Sequence, residues 1–419
     1  MGALAPPPPV GLLALAGESG FAWRSPDRTL VTAGVAARIP IPAGPRRLER
    51  LAATVGSLLQ PAAPAPPGLT GPPLAVGAIP FDPRTPGELV VPALVLEQAA
   101  GGAVQATSIA AGTAPPDPAA LATRLAARAA AAGDRWPERV TVTSRWQRPA
   151  WRAAVEAILE AIATGRLDKA VLAREVLVEA DRPFGRAALL GRLAARGAGA
   201  YLYASGGFVG ASPELLVARS GGVARSRPLA GTVPRGGSPA EEARRLAWLR
   251  SSAKDALEHR LVVDAVAAAL AKTADRVEAA ATEVVRLPTV AHLGTEITAC
   301  LGDPPASALD LVALLHPTPA VAGTPREAAL DLLAALEPTG RGLYAGPVGW
   351  VDAAGDGEWA VALRCASLAG PRARLFAGAG IVAGSQPDAE WDETASKLRA
   401  VLDVLTGSSR STPETGNRR

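Results

Sequence analysis

The stretch at residues 376–405, FAGAGIVAGSQPDAEWDETASKLRAVLDVL, limits the folds open to this chain more than any other. It reads as the end of a strand, a glycine turn and then a helix. Trp391, Leu398, Val401, Leu402 and Leu405 recur at helical spacing, so one face of that helix must dock on an apolar core. Glu390, Glu393 and Lys397 fall at i, i+3 and i+7 and share another face. Two carboxylates one turn apart suit a hard divalent cation, with Lys397 placed to hold an anionic ligand beside it. The same spacing also describes a solvated helix with a Glu393–Lys397 ion pair, so the rest of the chain has to decide.

The 419 residues allow two to three average domains or one large α/β domain with long loops. Apolar residues make up 48% of the chain, enough for a large core and against disorder. The net charge is only +4 and the arginines are scattered, which leaves no footprint for nucleic acid. Cys300 and Cys365 lie far apart in apolar contexts. They suggest a reducing compartment without a disulfide framework, and they cannot make a zinc site without further ligands. The opening MGALAPPPPVGLLALAG has no basic n-region and is broken by proline, so it does not read as a targeting signal. Residues 51–81 carry no charge, yet their seven prolines exclude a membrane helix. The expected setting is soluble and cytoplasmic, with no nucleic-acid or membrane partner. Arginine serves almost everywhere a cation is needed, and only Lys169, Lys254, Lys272 and Lys397 are lysines. Lysine can lose its proton when desolvated and arginine cannot, so a retained lysine points weakly to base chemistry.

Taken in order, residues 1–20 are Pro-rich and expected to fray. Residues 21–145 alternate short apolar runs (29–33, 89–96, 104–109) with Pro/Gly turns, and helices are expected near 46–59 and 117–132. VGAIPFD at 76–82 reads as a strand entering a turn. The pattern changes near Pro149. Residues 151–164 spell an amphipathic helix closed by Gly165. LDKAVLAREVLVEA (167–180) is an alternating strand with Lys169 near its start. An antiparallel meander is expected over 200–232. Ser238-Pro239-Ala240-Glu241 has capping-box spacing and predicts one long helix to about Lys272, on which Asp255, Glu258 and Leu261 share a face. Strands and loops follow around 284–290, then helices at 308–315 and 326–336. Residues 342–352, 358–370 and 373–382 predict three consecutive antiparallel strands. There is no internal repeat of 20–50 residues, and residues 407–419 read as a mobile tail.

Asp255 and Glu258 repeat the i, i+3 spacing of Glu390 and Glu393. If the two helices converge, four carboxylates repel one another unless a cation sits among them, and oxygen-coordinated Mg2+ is the natural solution. Otherwise each pair faces water separately. Arg364 lies in an apolar run, where strict alternation puts it on one face with Ala362 and Ala366. A buried arginine there needs an anion, either an internal carboxylate or a substrate carboxylate held bidentately. Gly378 and Gly380 let backbone N–H groups approach an anion, although no G-x-G-x-x-G or G-K-[ST] phosphate loop exists. Lys169 with a lowered pKa could activate water, and Glu214, ending the turn G-A-S-P-E, could protonate a leaving hydroxyl. Each reads equally as a surface residue. His259, His292 and His316 are core or site residues, without metal spacing between them.

The motifs GASPELL (210–216), PLAGT (228–232), KDALEH (254–259), HPTPAV (316–321), LRCA (363–366), FAGAGIV (376–382) and EWDETASK (390–397) together resemble the chorismate-utilising enzymes. LDKAVLARE (167–175) is similar to their catalytic-base strand. The likeness covers about residues 150–405, and before that only VGAIPFD. It implies an α+β fold, a single compact domain of large antiparallel sheets sandwiched between helical layers. The chain then divides into a Pro-rich segment (1–20), an N-terminal α/β part (21–145), a chorismate-binding catalytic part (146–406) and a tail. Within the family the likeness is greatest to the isochorismate synthases, which implies Mg2+-dependent conversion of chorismate to isochorismate. It further implies Lys169 as base and Glu214 as acid. Glu258 and Glu393 match direct metal ligands, and Asp255 and Glu390 match positions acting through water. Arg364 and Tyr344 match residues gripping the enolpyruvyl carboxylate. Gly231, Thr232, His316, Gly378 and Lys397 match other substrate contacts. A monomer is compatible with the fold. Salicylate synthase is the nearest rival reading. An anthranilate or aminodeoxychorismate synthase component is disfavoured because no glutaminase G-x-C-x-G nucleophile is present. A non-catalytic member of the fold is disfavoured because Lys169 and Glu214 are both kept. Menaquinone and catechol or salicylate siderophore routes both stay open.

Overall fold

The longest alternating run in the sequence becomes the strand Lys169–Ala180, which organises an eleven-stranded sheet. The structure is a computed structural model. It describes residues 11–17, 19–60, 73–100, 102–109, 117–131, 136–196 and 201–407. Of the expected mobile tail at 407–419, residues 408–419 lie outside the described residues, as does the Pro-rich run at 1–10.

Eight consecutive residues of this strand, 169–176, are buried, because both faces of the sheet are covered. Ala170 and Leu172 point to one side, under the helices Arg148–Ala163 and Arg326–Leu336, and pack with Trp146, Trp151 and Trp391. Further along that side, Val176 and Val178 meet Leu189 and Leu193 of helix Arg186–Ala195 and Leu398, Val401 and Leu405 of helix Pro387–Thr406. Ala173 points the other way, into a core shared with a nine-stranded sheet. That core takes Trp23, Tyr203 and Phe376 from the first sheet and Val217, Trp350 and Trp359 from the second. Leu51, Val266 and Leu311 join it from helices Arg47–Leu59, Ala253–Leu270 and Ala308–Leu315. Two large antiparallel sheets between helical layers result, as expected, and a third sheet of three strands joins Leu229–Pro234, Val290–Gly294 and Glu283–Arg286. Both sheets mix strands from before and after residue 146, such as Ala22–Arg24 beside Tyr201–Ser205 and Leu74–Ala78 beside Pro347–Asp352. Among the described residues no helix is long and apolar enough to cross a membrane.

Five expectations change. The run at 89–96 is two strands, Gly87–Val91 and Leu94–Ala99, in different sheets, with Pro92 between them. Proline lacks the N–H that a continuous ladder would use. The meander changes sheet at Pro213–Glu214: Phe208–Ser212 belongs to the first sheet and Leu215–Ser220 to the second. The run at 358–370 divides in the same way, into Gly357–Val361 and Cys365–Ala369. The long helix is two helices, Pro239–Ser251 and Ala253–Leu270. Ser252 takes an extended conformation (ψ 111°) and its side chain accepts from Asp255 N–H, so a serine cap restarts the helix just before Asp255. Near the N-terminus the expected fraying does not hold for residues 12–16, a short 3-10 helix that buries Leu12, Leu15 and Ala16.

Leu172 is fully buried between the sheet and its helices. Leu172→Ala should therefore cost about 2–5 kcal/mol, read as a lower urea midpoint at unchanged m-value. A loss of a few tenths of a kcal/mol would contradict this packing.

Candidate active site

Glu214 and Arg364 come together because two neighbouring strands turn the same corner. Gly210 pairs with Cys365 in the first sheet, and Leu215 pairs with Ala360 in the second. Between these pairs Ala211 N–H donates to Arg364 O and Val361 N–H donates to Glu214 O, both at 3.1 Å, while Ser212 Oγ donates to Val361 O at 2.5 Å. Arg364 has φ 49°, a left-handed conformation that costs a non-glycine residue about 1 kcal/mol or more. The strict alternation expected for Arg364 is thus replaced by a bend that turns its side chain into the cavity with Glu214. The free space there is about 40 Å³, because charged side chains fill most of it.

The opposite wall is the pairing of Lys169–Ala180 with Arg372–Ile381, in which Gly380 sits opposite Val171 and Gly378 opposite Ala173. Sequence reasoning took these glycines as places where backbone N–H groups meet an anion. The structure gives them a steric role: a Cβ at Gly380 would collide with Glu258 Oε1, and one at Gly378 would lie 2.9 Å from Val171 Cγ1. The space lets Glu258 reach Lys169, whose fully buried Nζ stands 3.1 Å from Glu258 Oε1.

The two acidic helices do meet, and lysines stand among their carboxylates. Lys397 Nζ donates to Glu393 Oε1 (2.6 Å) and to Gly378 O (2.9 Å). Lys254 Nζ donates to Glu390 Oε1 (2.6 Å). Asp255 accepts from Ser252 Oγ (2.5 Å) and from Thr232 N–H (3.3 Å). Among the described residues no three acidic, His or Cys side chains stand as a metal cage in these rotamers. The four acids nevertheless feel one another. Burial pushes Glu390 up to about 7, helped by the Glu393 charge and opposed by Lys254. Burial raises Asp255 too, and Glu258 and Glu393 add to it. Burial would also raise Glu258, but Lys169, Lys254 and Lys397 outweigh it and hold that carboxyl low.

Glu214 is different. Burial pushes its carboxyl up to about 8, against the opposing pull of Lys169, the Leu229 backbone N–H, Arg364 and Lys397. At neutral pH it therefore carries a proton that it can give away. Arg364 is buried, and no carboxylate pairs with it among the described residues. Its Nη2 lies 3.1 Å from His292 Nε2. His292 Nδ1 lies 3.1 Å from both Gly231 O and Thr232 Oγ1. Burial, then the Arg364 charge, keeps this imidazole neutral. With its Nδ1 hydrogen donated to Gly231 O, Nε2 is free to accept from Arg364. Gly231 has φ 67° at a bulge in the strand Leu229–Pro234, which presents Thr232 to His292 and Asp255. Tyr344 lines the same cavity and stacks on Phe376 with ring centroids 5.3 Å apart.

His316, expected at the site, is a core residue. It ends helix Ala308–Leu315, meets Phe81 edge to face at 5.9 Å, and is pushed down to about 3 by burial. Its motif reaches the cavity through Ala320 and Val321 instead. The sequence does not single out Lys254 or Ser252 as site residues, and it leaves His292 open between core and site. Lys254 carried a usable signal, being one of four lysines and adjacent to Asp255. The role of His292 depends on strand pairing far from its own position, which no local pattern shows.

The sequence profile of the chorismate binding enzyme family matches residues 11–406. Isochorismate synthase DhbC of Bacillus subtilis is 36% identical over 409 residues, covering 92% of this chain and 93% of that protein. The crystal structure of DhbC from Bacillus anthracis superposes with TM-score 0.78 at 33% identity, over 93% of this chain and 96% of that one. The menaquinone-specific isochorismate synthase MenF of Escherichia coli superposes with TM-score 0.75 at 27% identity, over 94% of this chain and 91% of that one.

The Glu214 carboxyl makes a prediction about stability. Its folded pKa of about 8 lies above its ordinary value of 4.5. Below the ordinary value both states are protonated. As pH rises towards 8, the unfolded chain ionises first and the folded state loses stability. Glu214→Gln should flatten that part of the stability-versus-pH curve in urea titrations. An unchanged slope would place the proton elsewhere.

Proposed function

The chain belongs to the chorismate-binding enzyme family, and we propose that it is an isochorismate synthase, converting chorismate to isochorismate. Its similarity to DhbC and MenF over nearly the whole length supports this reading. The observation that carries it is local. Glu214, a proton-holding carboxyl, lines a cavity with Glu258 and with Arg364, with which no carboxylate pairs among the described residues. The buried amine of Lys169 stands just behind that wall, 3.1 Å from Glu258 and close enough for its charge to act on Glu214.

Lys169, acting as the free amine once it has given up its own proton, takes a proton from a water that attacks ring carbon C2. The ring double bonds shift, and Glu214 gives its proton to the C4 hydroxyl, which leaves as water. One water adds and one departs, so there is no net oxidation. Arg364, held by neutral His292, and Tyr344 take the enolpyruvyl carboxylate. Thr232, the Gly231 bulge and Lys397 complete the wall against which the ring is fixed.

Mg2+ fits this site by donor chemistry: Asp255, Glu258, Glu390 and Glu393 offer carboxylate oxygens alone, and the carboxyls of Asp255 and Glu390 are raised by burial first and by the neighbouring carboxylate charges second, both of which a dication would offset. These four residues would hold the ion, with Lys254 and Lys397 yielding their contacts. Bound there, the ion offsets the ring carboxylate charge of chorismate and fixes its orientation.

Incubation with chorismate and Mg2+ should accumulate isochorismate, and EDTA should stop it. Release of pyruvate with salicylate fluorescence would instead make the chain a salicylate synthase. Lys169→Ala and Glu214→Gln should each abolish turnover while leaving chorismate binding measurable by calorimetry. Substantial residual turnover in either variant removes that residue from its role. Because Glu214 must hold its proton, kcat should decline as pH rises through about 8.

A further inference from the structure

The strand that carries Lys169 has a broken outer edge. Thr324 and Gly323 pair with Lys169 and Ala170, and residues 140–144 pair with residues 176–180. Between these partners, at residues 171–175, the described residues provide no neighbouring strand. The backbone groups there are met one at a time. Val171 N–H donates to Ala322 O (2.7 Å), and Glu175 O accepts from Arg145 N–H (3.1 Å). The other two partners are side chains: Arg341 Nη2 donates to Val171 O (2.6 Å), and Glu337 Oε1 accepts from Ala173 N–H (3.0 Å). Arg341 Nε also donates to Glu337, 3.1 Å from Oε1 and 2.9 Å from Oε2, in a buried ion pair. One ion pair therefore supplies the donor and the acceptor that a missing strand would have offered.

The same guanidinium reaches further. Its Nη1 donates to Val321 O (2.6 Å), and its plane lies over the Phe81 ring at 4.4 Å. The Arg341 carbonyl accepts from Tyr344 N–H (3.1 Å). Val171, Val321 and Tyr344 all line the cavity, while neither Glu337 nor Arg341 does. We propose that Glu337 and Arg341 form a positioning pair for the reaction: they lock the Lys169 strand, the 320–321 wall and Tyr344 into one arrangement without touching the substrate. This rests on the isochorismate synthase reading. A lysine cannot take over, because the contacts need donors spread across a planar fork.

The test uses the full chain with chorismate and Mg2+, comparing Glu337→Gln and Arg341→Lys. Glu337→Gln is nearly isosteric and keeps an acceptor, so it covers the case in which Arg341→Lys does not fold. Both variants should lower kcat about tenfold or more while KM stays within about threefold, because neither removes a group that touches the substrate. Arg374→Met serves as the control. It breaks the ion pair to Glu175 (2.7 Å) on the same strand, away from the cavity, and should leave kcat within about twofold. Amide exchange at Ala173, measured without substrate, should speed up about tenfold in Glu337→Gln. Wild-type kcat in the folded variants, an equal loss in Arg374→Met, or a rise in KM in place of the kcat loss would each overturn the proposal. If the wild type makes no isochorismate, the functional reading falls. Ala173 exchange then judges the brace alone, and unchanged protection in Glu337→Gln overturns it.

Discussion

Lys169 and Glu258 stand 3.1 Å apart with their charges withdrawn from water, and much of the surrounding architecture serves to make that tolerable. Burying a charge costs several kcal/mol, and removing one partner of such a pair typically costs about 3–5 kcal/mol. The chain meets this demand by gathering opposite charges from distant positions. Lysines at 169, 254 and 397 face acids at 258, 390 and 393. A glycine at 380 leaves the room that lets Glu258 reach across. The serine that restarts the helix at 253 caps Asp255, turning a helix break into part of the site.

The same cavity holds a group that behaves in the opposite way. Glu214 keeps its proton because the corner between the two sheets shields it, even with Lys169 and Arg364 acting on it. An acid that stays neutral and an amine beside a carboxylate have been driven apart in character by their surroundings, which is the condition for acid and base work in one site. The corner itself depends on paired crossings. Had only one strand changed sheet there, the bonds between Ala211 and Arg364 and between Val361 and Glu214 could not form.

Much of this was legible in the sequence where the signal is local. The helix at 387–406 followed from its apolar stripe, and the strand at 169–180 from its alternation. The ordered motifs contain most of the residues that line the cavity, His292 and Tyr344 being outside them. What local pattern could not show was where a strand changes sheet. Residues 358–370 alternate without interruption, yet Arg364 stands in a bend because tertiary pairing overrides strand propensity. The break at Ser252 was hidden for a similar reason, since helix formers flank it on both sides. His316 was misplaced because a histidine in a motif looks the same from sequence whether it meets a ligand or a phenylalanine. The bracing by Glu337 and Arg341 is invisible in sequence because the gap it fills exists only once strands have paired.

The central claim is that a water activated by Lys169 enters the ring on one side while Glu214 releases the hydroxyl on the other. The most direct measurement is to run the reaction in 18O-labelled water and locate the label in isochorismate by mass spectrometry and NMR. This account predicts one solvent oxygen per product molecule, on C2, with the original C4 oxygen found in the solvent. Product whose C2 oxygen came from chorismate itself would contradict it, because the hydroxyl would then have migrated within the ring.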